Sequence, residues 1–266
     1  MVDPARDPRR EHSVAAYYDR LAAVYGEGEY ARMRRTAVLQ MIAKEIDSAR
    51  AVLDLGCGNG AYAVEFAARP RIQLLVGADV SPAMLQSARR RLGEWNELVR
   101  ADATVLPFRS ERFDLVFMSH VLLLVSDIGG CMAEVARSLV PGGMLVATVG
   151  ATGWGDILRR LVGTEALPVI EARRESPGRL SPEGNQTRAT AAAVSVGLQP
   201  ELRCAPFTVN WPAVEEWVRL RWLTVLDEAS RALAERELSG LRSAMSELTV
   251  EFTETLLLAH KPMGAP

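Results

Sequence analysis

Three acidic residues stand at or next to the ends of three successive apolar segments: Asp54 in "AVLDL", Asp79 in "QLLVGAD" and Asp102 in "ELVRAD". Between the first and second lies the turn "GCGNG", with glycine at 56, 58 and 60. A turn stripped of side chains at those positions lets backbone N–H groups, and the positive end of the helix that follows, come close to a ligand. A carboxylate at the second strand end can accept from both hydroxyls of a ribose. One at the third can accept from the exocyclic amine of an adenine. Asp54, Gly56, Gly58, Asp79 and Asp102 together point to an adenosine-containing ligand. Glycine stands at the fifth position of the turn and Ala61 at the sixth, an imperfect dinucleotide fingerprint, and no Lys-Ser or Lys-Thr follows, which excludes a P-loop. At this level a nicotinamide cofactor stays open.

His120 closes a fourth segment, "FDLVFMSH". An imidazole at a strand end titrates near neutrality and is the candidate general base; the competing reading is that the residue only packs on a ligand through its backbone and Cβ. Cys57, Cys131 and Cys204 show no C-x-x-C spacing, and His12, His120 and His260 stand far apart, so neither a zinc site nor a disulfide framework is indicated and no metal is expected. Cys57 reads as a small apolar filler.

These residues need elements to position them. Helical spacing predicts helices over Ser13–Gly26 and Tyr30–Ile46, after a disordered tail at 1–12. The apolar segments Ala51–Leu55, Gln73–Asp79, Glu97–Asp102, Phe113–His120 and Gly143–Gly150 read as strands, alternating with helical segments such as Met132, Val135, Ala136 and Leu139 before Pro141-Gly142-Gly143. That alternation predicts an α/β fold, a mostly parallel sheet with helices on both faces and its ligand at the carboxyl ends of the strands. Residues 151–181 are irregular and read as an insertion near the site. A helix at Pro182–Val196, a strand at Glu201–Asn210, one or two helices over Pro212–Ser246 and the apolar strand "LTVEFTETLLLAHK" complete one domain.

At 266 residues and 48% hydrophobic, the chain can bury a full core. Its 31 basic and 33 acidic residues nearly cancel, which leaves no field to gather a nucleic acid. The longest apolar run, Val121–Val125, is far too short to span a bilayer, and the N-terminus has no apolar leader, so a cytoplasmic location is expected.

In these motifs the sequence resembles the class I, Rossmann-like S-adenosylmethionine-dependent methyltransferases. "VLDLGCGNG" resembles the family's first motif, "GADVSPAMLQSAR" its second, "RADATVLPF" and "FDLVFMSHVLLLV" its third and fourth, and "LVPGGMLVATV" its fifth. The resemblance implies a seven-stranded sheet ending in an antiparallel C-terminal strand, unlike Rossmann dehydrogenases, with residues 48–150 as the cofactor core and 13–47 as a cap. It implies that Gly56, Cys57 and Gly58 pass under the methionine moiety and ribose, that Asp79 holds the ribose, and that Val80 and Met84 sandwich an adenine whose edge Asp102 and Ala103 read. Ser119, His120 and Val121 would lie beside the sulfonium, Tyr18 and Tyr25 would close over the cofactor, and Arg32 or Arg35 would neutralise its carboxylate.

The reaction implied is methyl transfer to a small organic acceptor, on oxygen, nitrogen or carbon, with a specialised metabolite or quinone-type ring as examples, leaving S-adenosylhomocysteine. Trp154, Trp217 and Trp222 are the candidate acceptor contacts, the last two with Trp211, Arg219 and Arg221 in a stretch that reads as a lid with aromatic faces; the competing reading places Val214, Trp217, Val218, Trp222 and Val225 in the core by helical spacing. The alternatives are an NAD(P)-dependent oxidoreductase and a non-catalytic subunit that keeps the cofactor site.

Overall fold

A computed structural model describes residues 8–93, 97–153, 182–221 and 223–263. Five strands, β1 (Ala51–Leu55), β2 (Leu74–Asp79), β3 (Glu97–Arg100), β4 (Phe113–Met118) and β5 (Leu139–Thr152), run parallel, and β7 (Thr249–His260) runs antiparallel between β5 and β6 (Gln199–Asn210). The seven-stranded order is β3-β2-β1-β4-β5-β7-β6. The strand order reverses between β1 and β4, which opens a crevice at their carboxyl ends, the place where such sheets bind ligands. Asp114 fixes the other end of this junction: its carboxylate accepts from the backbone N–H groups of Arg50 and Ala51 at 3.0–3.2 Å.

Helices cover both faces because the central strands are apolar throughout. On one side α2 (Gly28–Met41), α3 (Ala43–Ser48), α4 (Ala61–Ala67) and α5 (Pro82–Leu92) bury Val38, Ile46, Phe66 and Ala88, with Ile42 between α2 and α3, against Val52, Leu115 and Phe117. On the other, α6 (Ile128–Ser138) and α7 (Pro182–Ser195) bury Met132, Val135, Ala189 and Ala193 against Leu53, Val116 and Leu257. The first helix, α1 (Pro8–Leu21), lies across α5 and starts earlier than its hydrophobic spacing predicts, with Pro8 at a position where a missing N–H costs nothing. The helix thus takes in residues 8–12 of the tail expected at 1–12; residues 1–7 lie outside the described residues. β5 is also longer than expected, since Pro141 and Gly142 sit in a bulged start of the strand instead of a loop.

β6 and β7 run past the sheet, and their far halves carry a second core. Alternate residues Phe207, Val209, Val250 and Phe252 pack with Tyr30 of α2 and with α8 (Trp211–Arg221) and α9 (Glu228–Met245). Glu216 ties this cap to the N-terminal helices by accepting from Glu29 N at the start of α2, 3.1 Å away. Glu215, only 3% exposed, accepts from Arg219 at 2.7 Å and Arg242 at 2.8 Å. Burial pushes its carboxyl pKa up, and the two guanidiniums more than offset this, so it lies below the ordinary value.

Glu215→Ala is expected to lower unfolding free energy by about 2 kcal/mol at pH 7, less than a fully buried pair because Arg242 is exposed. A depressed folded-state pKa contributes stability above the unfolded value, about 4.3, and loses it as pH falls through the folded value. The gap between wild type and variant should therefore narrow in denaturant titrations below about pH 4; a gap that widens there would contradict the pairing.

Candidate active site

The glycine turn leaves β1 with Gly56, Gly58 and Gly60 all at positive φ (73°, 54° and 79°). Gly56 N and Cys57 N donate to Ala78 O at 2.7 and 3.0 Å, which presses the turn against the end of β2. Gly58 N then donates to Asp79 Oδ2 at 2.8 Å, and Ser81 N to Asp79 Oδ1 at 2.9 Å. Each oxygen keeps capacity for another donor, so the carboxylate is aimed by the backbone while able to accept from a ligand. Burial pushes the Asp79 carboxyl up, partly countered by the N–H groups of Ser81, Gly58 and Val80. Ser81 caps α5 by accepting from Met84 N at 3.0 Å, which sets Met84 beside the cleft. Asp102 Oδ1 accepts from Thr104 N and Thr104 Oγ1, both at 2.8 Å. Its loop is clamped from α6, where Glu134 accepts from Leu106 N at 2.7 Å and Arg137 donates to Phe108 O at 2.7 Å.

These residues line an open cleft at the carboxyl ends of the strands. Tyr18, Tyr25, Gly56, Gly58, Asp79, Val80, Met84, Asp102, Ala103, Ser119, His120 and Val121 all line it, with Val14, Leu124 and Val125 adding apolar wall. The roof is held by Arg221 at the end of α8, whose guanidinium lies over the rings of Tyr17, Tyr18 and Tyr25 (4.9, 5.4 and 5.7 Å to the centroids) and donates to the Tyr17 hydroxyl. Burial pushes the Tyr18 phenol well up. Asp19 pins α1 in place by accepting from Ser81 Oγ and Ala83 N.

Asp54 and Cys57 lie elsewhere. They line a smaller side chamber with Arg34, Arg35, Asn59 and Tyr62, which shares the walls Tyr25, Gly56 and Ser119 with the cleft. Side chains alternate along a strand, so Leu55 faces the cleft and Asp54 faces away from it into the chamber. Asp54 is 1% exposed, its Oδ2 has no partner among the described residues, and burial together with the charge of Asp79 pushes its carboxyl up to about 8. Arg34 Nε is likewise buried with no described partner. Burial pushes the Cys57 thiol up, and its Sγ lies 3.1 Å from where a Cβ on Gly77 would stand, consistent with a filler.

Several expectations are corrected. A Cβ on Gly56 would lie 2.2 Å from Val121 Cγ2, so this glycine is required by contact within the protein itself. Arg32 points outward to an exposed pair with Glu29 and is not in the site; Arg34, one turn from the buried Ala31 and Val38, takes the inward place, and Arg35 lines the chamber beside it. Trp217 does not line the cleft. It packs on Tyr30, 5.1 Å between ring centroids, in the second core, the alternative its spacing allowed. The insertion expected from 151 starts later, since Ala151 and Thr152 end β5; Trp154, Trp222 and residues 154–181 lie outside the described residues.

Two site residues escaped the sequence reading besides Arg34. Glu254 of β7, wholly buried, brings Oε2 within 3.2 Å of His120 Nε2. Thr148 of β5 accepts from His120 N at 2.6 Å. Among the described residues no cluster of three His, Cys, Asp or Glu could hold a metal, and no helix is long and apolar enough to cross a membrane.

A family model described as a methyltransferase domain matches residues 53–147. A demethylmenaquinone methyltransferase of Deinococcus radiodurans is 36% identical over 167 residues, 60% of this chain and 68% of that protein. A malonyl-[acyl-carrier protein] O-methyltransferase of Legionella pneumophila is 36% identical over 135 residues, 49% of this chain and 45% of its own. The chain thus spans between about half and two thirds of the length of these curated relatives. A crystal structure of a Bacillus halodurans protein superposes with a TM-score of 0.58 at 23% identity, covering 85% of this chain and 98% of that one, which shows the shared fold. The glycine turn, the strand-end acids, the reversed β7 and these likenesses agree: the chain belongs to the class I S-adenosylmethionine-dependent methyltransferase family.

Proposed function

We propose that this protein transfers the methyl group of S-adenosylmethionine to a small organic acceptor. The observation that carries the reading is the division of the site into a cleft lined by Asp79 and Asp102 and an adjoining chamber lined by Arg34, Arg35 and the buried Asp54. An adenosyl group suits the first and an amino-acid zwitterion suits the second. Asp79 accepts from the ribose hydroxyls, Val80 and Met84 flank the adenine, and Asp102 takes its amine. Arg34 and Arg35 face the ligand's carboxylate, and Asp54 its ammonium. When bound, the cofactor supplies an electrophilic methyl group on a sulfonium.

The chain's own part is to orient and to exclude water. Tyr18, Tyr25 and Arg221 shut the roof, and the apolar wall of Val14, Leu124 and Val125 keeps the cleft poor in water, conditions in which collinear alignment of nucleophile and methyl group does much of the work. His120 is the base for an acceptor that must lose a proton. The two relatives are named for different acceptors, demethylmenaquinone and malonyl-[acyl-carrier protein], and the apolar cleft fits an uncharged organic molecule better than a nucleic acid.

Titration calorimetry with S-adenosylhomocysteine and with NADH tests the reading: micromolar binding of the first and none of the second is expected, and the reverse would overturn it. Protonation adds a signature. With a pKa of about 8, Asp54 is mostly protonated at pH 7 in the free protein, and an ammonium beside it favours the ionised form. Binding at pH 7 should release about one proton, read as a dependence of the measured enthalpy on the ionisation enthalpy of the buffer. No release would remove Asp54 from the ammonium site.

A further inference from the structure

Methyl transfer as proposed leaves one buried group unexplained. Glu254 stands inside β7 with no exposure, next to Thr255 and the apolar run Leu256–Ala259. A carboxylate there is costly to bury, and neither of its oxygens accepts a hydrogen bond from a described residue. What faces it is charge. His120 Nε2 is 3.2 Å from Oε2, and the charge of Arg34 on α2 acts on it too, while the Tyr62 hydroxyl of α4 is the other titratable neighbour. Burial pushes the Glu254 carboxyl up, and His120 and Arg34 more than offset this.

His120 is held as firmly. Its φ of 57° is uncommon for a residue with a Cβ, and its N–H donates to Thr148 Oγ1. His120 is among the residues that line the cleft, and its Nε2 is buried 3.2 Å from Glu254 Oε2, an ion-pair distance without a hydrogen bond, so Nδ1 is the ring nitrogen left to serve a ligand. A carboxylate behind one ring nitrogen fixes the tautomer, and with it which nitrogen can take a proton.

We propose that Glu254 is a positioning residue that keeps His120 in the Nε2–H tautomer with Nδ1 as proton acceptor, and that the methyl acceptor is accordingly a phenol-type hydroxyl compound. The inference rests on the methyltransferase reading above. In the step it serves, the hydroxyl proton moves to Nδ1 and the acceptor's electron pair forms the new bond to the methyl carbon. The electron pair of the broken carbon–sulfur bond stays on sulfur, and Glu254 balances the imidazolium. A carboxylate acceptor, already anionic, would need no such base.

Two-bond ¹H–¹⁵N correlation spectra of the histidine-labelled protein, assigned with His120→Ala, report the tautomer directly. The wild type should show Nε2–H with bare Nδ1, and Glu254→Gln should lose that preference. An Nδ1–H wild type, or identical spectra for the two proteins, overturns the inference; the wild-type spectrum decides even if the variant does not fold. In turnover with a simple phenol and with 1,4-naphthohydroquinone under anaerobic conditions, Glu254→Gln should lower kcat about 100-fold with KM little changed. Methylation of a malonyl thioester that is undiminished in Glu254→Gln would overturn the hydroxyl assignment. Absent S-adenosylhomocysteine binding would sink the methyltransferase reading instead, so the two failures are separable.

Discussion

Replacing Asp79 by alanine should weaken S-adenosylhomocysteine binding by about two to three orders of magnitude while the protein still unfolds in a single cooperative transition. Two charge-assisted hydrogen bonds to a ribose contribute about 1.5–2 kcal/mol each, or roughly 3–4 kcal/mol together, and each 1.4 kcal/mol is tenfold in affinity. Stability should suffer less, because Asp79 already bears a desolvation cost in the free protein, and the Gly58 and Ser81 N–H groups it releases border an open cleft where water can reach them. Calorimetric titration and thermal denaturation of the same preparations separate the two effects. Unchanged affinity would place the ribose elsewhere.

Arg34→Met is expected to produce a loss of similar size, about 100-fold, with a different signature. The side chamber is assigned to the amino-acid end of the ligand, so S-adenosylhomocysteine should lose affinity while adenosine, which has no carboxylate, should bind wild type and variant alike. Arg34 acts from a buried position where water screens little, which is why one guanidinium carries so much. Equal losses for both ligands would mean that Arg34 supports the fold of the site and does not read the carboxylate. Arg32→Met, at the exposed pair with Glu29, should change neither.

The contrast between these arginines shows what was legible in the sequence. Gly56, Gly58, Asp79 and Asp102 could be read because each stands at or just after the end of a strand, and parallel pairing of β1, β2 and β3 brings those ends side by side. The sheet could be read for the same reason: continuous apolar strands alternating with helices admit few topologies. Selecting Arg34 needed the buried face of α2, which Ala31 and Val38 mark only once the packing is known. Asp54 looked equivalent to Asp79 and Asp102 as a strand-end acid, yet it is one residue short of the end of β1, and that single step sends its side chain to the side chamber.

Glu254 was out of reach altogether. It lies more than a hundred residues from His120 in the chain, in a strand that otherwise reads as apolar alternation, and only the register of β7 against β5, with Glu254 opposite Ala151, brings the two together. Trp217 erred in the other direction. An aromatic on a helix after the core suggested a lid, whereas the far halves of β6 and β7 form an apolar platform that claims it for packing with Tyr30.

A crystal structure of the complex with S-adenosylhomocysteine tests the central claim most directly. The account predicts the ribose hydroxyls on Asp79, the adenine between Val80 and Met84 with its amine at Asp102, and the amino-acid end in the chamber of Arg34 and Asp54. Density for the ligand outside this cleft, or an amino-acid end turned away from Arg34, would contradict it.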